Sequence, residues 1–344
     1  MMTKYAGKKP GFFSRVDQHV LRLLLVMAVW MVFMALTRAS RFYTLINFQT
    51  MASQFPEFGL MSLGVMLCMI TGGIDLSPVG VANLTAILMA LVLKQLTPAV
   101  GGSLPIYAIP LVFLLGAAIG ACLGVLNGLL VSKVRIPPIL ATLGMSELLT
   151  GVSIVITNGA AVSGLPVEYA MTVNSKIGAL VPVQLVIFAC MAIIVWFLLN
   201  RTTFGTKIYL LGTNPQAARF SGLKNDRLII STYMISGITA ALGGLVMLAN
   251  YNSARANYGG VYVLQCILVV VLGGVSPTGG KGRISGVVLA IVLLRMLETG
   301  INRFPQISSY YISLIWGGVL LLVMVLDYFS NGRRYLRWKR KMPF

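Results

Sequence analysis

The chain has 344 residues, 57% of them hydrophobic and only 10% charged, and its mean hydropathy is +0.87. Soluble domains carry about a quarter charged residues, so this composition excludes a soluble fold and implies an integral membrane protein. The net charge of +19, from 27 Lys and Arg against 8 Asp and Glu, does not point to nucleic acid. The cations flank apolar runs, with Lys4, Lys8, Lys9 and Arg15 before the first and Arg333, Arg334, Arg337, Lys339, Arg340 and Lys341 after the last. There they set orientation and meet anionic lipid.

Taking about 20 apolar residues as the length that crosses the hydrocarbon core, the chain is expected to form about ten helices. They lie near 20–37, 57–71, 76–95, 105–131, 138–157, 180–199, 228–250, 261–276, 284–301 and 311–328. The first run is too long for a secretory signal and has no small-residue cleavage site behind it, so it is expected to remain as a span. The second and third are separated only by Thr71–Asp75 and read as neighbours or as one broken element. The fifth is weakened by Glu147 and several small polar residues. Lys133 and Arg135, the basic loop 200–227, Lys281 and Arg283, and the tail all follow even-numbered spans, which puts both termini on the cytoplasmic side. The expected layout is a basic cytoplasmic N-terminus over 1–19, a transmembrane domain over 20–328 and a basic cytoplasmic tail over 329–344.

Two hydrophobic segments are interrupted by glycine, Ile70–Pro78 and Leu272–Gly280. Paired broken segments in corresponding halves mark transporters built from inverted repeats. Asp75 stands inside the first break, where freed backbone groups must be buried in protein or face a water cavity. It reads as a helix N-cap bonding amides near Val79, as a residue lining or bracing a polar path, or both. Ser77 follows it. Glu147, Arg295 and Glu298 are ionisable groups within spans; the last two, three apart on one helix, are expected to pair. Asn83, Asn127, Asn250 and Gln265 are polar groups in apolar surroundings, able to bind solute hydroxyls or to bond across helices.

The longest polar interruption is Asn200–Leu223. Within it Asn214 followed by Pro215 reads as an N-cap with Pro at the first helical position. Gln216-Ala217-Ala218-Arg219-Phe220 then forms a short helix, and Gly222 is its C-terminal cap. A small capped helix on a membrane face offers a grip to a soluble partner.

Enzyme chemistry is not expected. Four cysteines (Cys68, Cys122, Cys190, Cys266) lie far apart in apolar runs, and the single histidine, His19, sits at the edge of the first span. No metal-ligand spacing and no Ser-His-Asp set is present. The segment 273–286 resembles a phosphate-binding loop, but Val275 stands where the first Gly of a Walker A motif belongs and Gly282 where its Ser or Thr should be. Energy for transport would therefore come from an ion gradient or from another subunit.

At this point the residues resemble a family, the permease subunits of ATP-binding-cassette importers for simple sugars, whose members include ribose, galactose, xylose and autoinducer-2 permeases. Three stretches carry the likeness in order. They are Gly72-Gly73-Ile74-Asp75-Leu76-Ser77 with Asn83 and Thr85; Thr203-Phe204-Gly205 with Gly212, Asn214-Pro215, Ala217-Ala218-Arg219 and Gly222-Leu223; and Val271–Gly274 with Gly279–Gly282 and Gly286. Lys133–Pro138 and Ala141–Gly144 also match, and the resemblance covers roughly residues 45–330.

The resemblance implies an all-α polytopic protein of the bacterial inner membrane, in two pseudo-repeated halves. A second permease chain, identical or not, two ATPase subunits that hold ATP and Mg, and a periplasmic or lipoprotein solute-binding protein would complete it. No cofactor is expected in this chain. Gly205, Gly212, Asn214, Pro215, Ala217, Ala218, Arg219 and Gly222 would then form the element that couples to the ATPase. Asp75, Ser77, Asn83, Asn127, Glu147, Asn250 and Gln265 are the candidates for the translocation path. Pro78-Val79-Gly80 departs from the common Val-Gly-Ser after Asp-Leu-Ser. The remaining alternatives are an ion-coupled secondary transporter or channel, a membrane scaffold, and a branched-chain amino-acid permease of the same core layout.

Overall fold

The computed structural model describes residues 18–97 and 104–304, with a few helical positions between 311 and 325. The helices are α1 (Gln18–Phe42), α2 (Leu45–Gln54), α3 (Pro56–Ile70), α4 (Pro78–Leu96), α5 (Ala108–Ser132), α6 (Pro138–Thr157) and α7 (Val167–Val173). After a two-residue hairpin, β1 (Lys176–Ile177) and β2 (Val181–Pro182), come α8 (Val183–Arg201), α9 (Thr203–Thr213), α10 (Pro215–Phe220), α11 (Asn225–Tyr251), α12 (Tyr262–Leu272) and α13 (Ile284–Ile301). The protein is thus an all-α, multi-pass membrane protein.

Among the described residues, seven helices are long and apolar enough to cross a membrane, and α2 with α3, bent by 43° at Phe55, forms an eighth candidate. This differs from the expected ten in two instructive ways. The segment expected over 261–276 contains only the eleven residues of α12, about 16 Å of helix against a hydrocarbon core of about 30 Å. The segment expected over 57–71 is the fifteen-residue α3, also short, and it is separate from α4 rather than continuous with it. The fifth segment, expected over 138–157 though weakened by Glu147, forms with those bounds as the regular twenty-residue helix α6. Its Thr142, Thr150 and Thr157 satisfy their hydroxyls on carbonyls four residues back, at 2.8–2.9 Å, which removes the cost of a polar group in hydrocarbon. The span expected over 311–328 falls for the most part outside the described residues, as do the two terminal basic segments except for the start of α1.

The bundle is organised around α11. Its middle is buried by α3, α4 and α5 together, which explains why it shows no amphipathic face. Its approach to α5 is set by Gly116, Gly120, Gly124 and Gly128, one residue per turn on the face of α5 turned to α11. A Cβ on Gly120 would lie 2.6 Å from the Ala241 methyl and 2.8 Å from the Gly237 carbonyl carbon, so the two backbones meet with nothing between them. Without a hydrophobic driving force between helices in lipid, such close van der Waals contact is what holds them. The outward faces of α1, α5, α6 and α8 carry Leu25, Leu36, Leu114, Leu126, Leu148 and Phe197, all exposed, as the lipid boundary requires.

Replacing Gly120 by Leu should force α5 and α11 apart. Overpacking of this kind costs roughly 1–3 kcal/mol or more, and the purified protein should unfold in detergent at a clearly lower temperature than the wild type. An unchanged midpoint would show that the α5–α11 contact is not a main support of the bundle.

Candidate functional site

Helices α3 and α12 end in the same way. Gly72 and Gly274 each adopt a left-handed conformation with φ of 87°. In α3 the Gly72 and Gly73 amides donate to Met69 and Cys68 carbonyls, at 3.0 and 3.1 Å; in α12 the Gly274 and Val275 amides donate to Val271 and Val270, at 2.9 and 3.2 Å. These are two copies of one glycine-capped helix end. The paired breaks read from the sequence are therefore equivalent structures, each followed by a full-length helix, α4 or α13.

The two ends converge on a third element. The Gly280 amide of the second break donates to the Ile70 carbonyl of the first at 2.8 Å. Gly212, near the end of α9, lies against both, because a Cβ there would clash with the Ile70 carbonyl and reach within 2.5 Å of the Gly280 nitrogen. A Cβ on Gly279 would lie 2.8 Å from the Gly212 carbonyl and 2.9 Å from Gly72 Cα. The Tyr209 hydroxyl, one turn earlier on α9, donates to Gly282 at 2.7 Å. Three backbone segments thus touch through glycines, and Thr213 ends α9 immediately beyond.

There α10 begins, as the sequence predicts. The Asn214 side chain accepts from the Gln216 and Ala217 amides, both at 3.0 Å, with Pro215 at the first helical position. Gly222, at φ 81°, closes the other end: the Gly222 and Leu223 amides donate to Arg219 and Ala218, a third glycine-capped end. The Asn225 amide group donates to the Pro215 carbonyl at 2.8 Å, which ties α10 to the start of α11. Gly205 is the other tight point, since α9 crosses the end of α8 with Gly205 against the Leu199 backbone. Ala218 faces inward and is buried, while Ala217, Arg219 and Phe220 face out. Phe220 is 92% exposed, and the sequence reading did not single it out. The available signal was an aromatic inside the most polar loop of the chain.

Asp75 braces the first break from inside. It is 3% exposed. One carboxylate oxygen accepts from the Ser77 amide at 3.0 Å and the Ser77 hydroxyl at 2.7 Å; the other accepts from the Ser236 hydroxyl of α11 at 2.7 Å. Asn127 of α5 donates to the Ser77 hydroxyl at 2.7 Å. Thr142 of α6 accepts from the Leu76 amide at 3.0 Å, so that freed amide is satisfied by protein. The expected cap on amides near Val79 is not what forms: Asp75 closes a tight turn onto Ser77, and Ser77 occupies the cap position with its hydroxyl bonded to Asp75 and Asn127 rather than to the helix.

The other polar candidates do not join this cluster. Asn83 donates to the Ala256 and Tyr258 carbonyls, at 2.8 and 2.9 Å, tying α4 to the segment after α11. Asn250 donates to Glu57 at 2.5 Å and accepts from Gln184 at 3.2 Å. Glu57, 3% exposed, also accepts from Tyr262 at 2.6 Å. This buried carboxylate at the start of α3 was not singled out from the sequence because Pro56-Glu57 reads as a helix start at the membrane edge. Gln265 is buried and its carboxamide oxygen has no partner among the described residues. Arg295 pairs with Glu298 at 2.7 Å, as expected, and also bonds Gln54. Glu147 lies on the exposed face of α6 between Gly144 and Gly151, with no hydrogen-bond or ion-pair partner among the described residues.

Removing the Asp75 carboxylate should leave the Ser77 amide and the Ser236 hydroxyl without their acceptor. Asp75→Ala is expected to cost at least about 2 kcal/mol and Asp75→Asn less, since one acceptor oxygen remains. Thermal unfolding of the purified variants in detergent tests the order; a stable Asp75→Ala protein would show that the brace is dispensable.

Over residues 47–324 the chain matches the family described as branched-chain amino acid transport system / permease component. It is 34% identical over 283 residues to the ribose import permease protein RbsC of Bacillus subtilis, covering 82% of this chain and 84% of that protein. It is 33% identical to RbsC of Escherichia coli K12 over 299 residues, 85% of this chain and 88% of that protein. With the galactose/methyl galactoside import permease protein MglC of Haemophilus influenzae it shares 28% identity over 341 residues, 96% of this chain and 99% of that protein. No solved structure matches it significantly. With 278 of its 344 residues inside the match, and with paired glycine-broken helices joined to a capped surface helix, this chain belongs to the branched-chain amino acid transport system permease family.

Proposed function

We propose that the protein is the membrane-spanning permease subunit of an importer driven by separate ATP-binding-cassette ATPase subunits, and that its solute is a simple sugar or a similarly small polar molecule. The observation that carries this reading is the seat of α10. A rigid, doubly capped helix with an exposed phenylalanine stands on a stem, α9, whose end is wedged between both helix breaks. A partner that grips α10 and moves it displaces the ends of α3 and α12 together. Gly205, Gly212, Asn214, Pro215, Ala217, Ala218, Arg219 and Gly222 form this coupling element in our reading, with Phe220 added as its contact residue. ATP and Mg belong to the partner. The solute class is carried over from the sugar permeases among the relatives.

The basic segments at 133–135, 200–227 and 281–283 gather at one end of the bundle: Lys133 pairs with Asp226 at 2.9 Å, and Gly280 adjoins Thr213. By the positive-inside rule that end is cytoplasmic. Both termini are assigned to the same side, in the inner membrane of a bacterium, with ten membrane segments of which two are the short α3 and α12. The transmembrane domain then extends over 20–328, between the basic terminal segments 1–19 and 329–344. The opposite end, which includes the β1–β2 hairpin and the 252–261 segment, is where a solute-binding protein would deliver its cargo. Asp75, Ser77 and Asn127 serve as the brace of the path, and Asn83, Asn250 and Gln265 as its polar wall. Glu147 supports a second permease chain against α6, since a carboxylate in mid-span is not left facing lipid.

Replacing Ala217 with Arg, or Phe220 with Ala, should reduce uptake of the solute by roughly tenfold or more, as truncation of an exposed anchor does, while the protein stays in the membrane at its normal level. Co-purification of the ATPase should fall in parallel. Gly212→Ala should leave the ATPase bound but lower uptake, because the added methyl pushes α9 away from Ile70. Wild-type uptake should continue when an ionophore collapses the proton gradient at constant ATP. Normal uptake by all three variants, or prompt arrest by the ionophore, would overturn the reading.

A further inference from the structure

At the basic end of the bundle, beside α10, lies an open cavity of about 390 Å3 lined by Lys133, Arg135, Arg219, Lys224, Asp226 and Arg227, with Leu223 and Asn225 completing it. Five cations face one carboxylate. Lys133 is engaged with Asp226 at 2.9 Å, and the charges of Arg135 and Arg219 also act on that carboxylate. Among the described residues no acid other than Asp226 lines the cavity, so they give it a net excess of four positive charges. Its walls are fixed. The Lys133, Val134 and Ile136 amides fold back onto the Leu129 and Leu130 carbonyls at 2.9–3.2 Å, and the Leu223 amide closes the end of α10. The 27-residue α11 begins at the cavity with no side-chain cap on its first turn, so its positive end adds to the field.

Two features say what such a cavity takes. It stands at the ends of two membrane helices, with Lys133 directly after α5 and Asn225 the first residue of α11, which is the depth of lipid headgroups. Adjoining it, Leu126, Leu129 and Val134 are exposed apolar side chains on or just after α5, offering a track for acyl chains. We propose that this cavity binds the headgroup phosphate of an anionic phospholipid, with Arg135, Lys224 and Arg227 as its main ligands and the Lys133–Asp226 pair as a fixed wall. Basic pockets between membrane helices on the cytoplasmic side take anionic headgroups for this electrostatic reason. A lipid held there touches Arg219 of α10 and the turn into α11, the same turn that any movement of α10 must bend. The inference concerns the lipid alone and stands or falls independently of which solute is carried.

The test uses the tagged protein extracted in mild detergent from its own membranes with whatever subunits accompany it, and placed in nanodiscs of phosphatidylethanolamine containing a minor fraction of phosphatidylglycerol. Lipid retained after delipidation is weighed by native mass spectrometry. The wild type should retain phosphatidylglycerol over phosphatidylethanolamine. Arg135→Gln/Lys224→Gln/Arg227→Gln should retain it at least about tenfold less. Arg201→Gln/Lys207→Gln, which removes charge from the same end but outside the cavity, should behave as the wild type and also controls for folding. Equal retention by the triple variant would overturn the proposal. So would a triple variant that keeps its lipid but loses its ATPase subunit, which would make the cavity a protein contact. Release of the lipid by inorganic phosphate alone would equally overturn it, marking a site for the free anion.

Discussion

One backbone hydrogen bond, from the Gly280 amide to the Ile70 carbonyl, joins the two halves of the bundle at the point where each half is broken. Everything near it depends on the absence of side chains. Gly212 is inserted against this bond, Gly279 against Gly72, and Gly280 against Thr213. Interiors are close-packed and transmit strain rather than absorb it. A contact made of backbone against backbone has no flexible side chain to soften it, so a displacement of α9 reaches α3 and α12 at once. The same three segments would be an ordinary helix crossing with alanines in place of glycines, held farther apart and free to slide.

Such a junction needs support, because a broken helix within a membrane exposes polar backbone that lipid cannot satisfy. The chain meets this twice with one device, the left-handed glycine cap at Gly72 and at Gly274. Around the first break it adds a buried carboxylate. Asp75 gathers Ser77 and Ser236, and Asn127 reaches Ser77 from α5, so α5 and α11 are held by hydrogen bonds to the turn that precedes α4. Glu57 has a parallel part at the other end of α3, where Asn250 and Tyr262 bond to it. Both carboxylates accept hydrogen bonds on both oxygens: Asp75, which the sequence left open as a cap or a path residue, and Glu57, which it did not single out. Glu147 is the contrast: on the exposed face of α6 it has no such cage among the described residues.

Along this line the parts acquire an order. α10 is capped at both ends and exposes Phe220; α9 leads from it to the glycine junction, where it meets both breaks; the Asp75 cluster ties the first break to α5 and α11. The basic cavity beside α10 lies between α10 and the start of α11.

The sequence by itself determined the membrane character, most of the long helices, both glycine breaks and the limits and caps of α10. Each of these is local: apolar runs, Asn-Pro starts and Gly ends act within a few residues. Only the tertiary structure decided that α12 has no more than eleven residues and that α2 and α3 bend at Phe55, because where a helix starts and bends depends on what packs against it. The glycines at 116, 120, 124 and 128 show a period of four in the sequence, yet their partner, α11, lies more than a hundred residues away. The polar residues scattered along the spans were visible one by one, but which of them meet was not. Asp75, Ser77, Asn127 and Ser236 form one cluster while Asn83 and Asn250 serve elsewhere, since a hydrogen bond between helices is set by how the helices cross and rotate, and no local pattern encodes that.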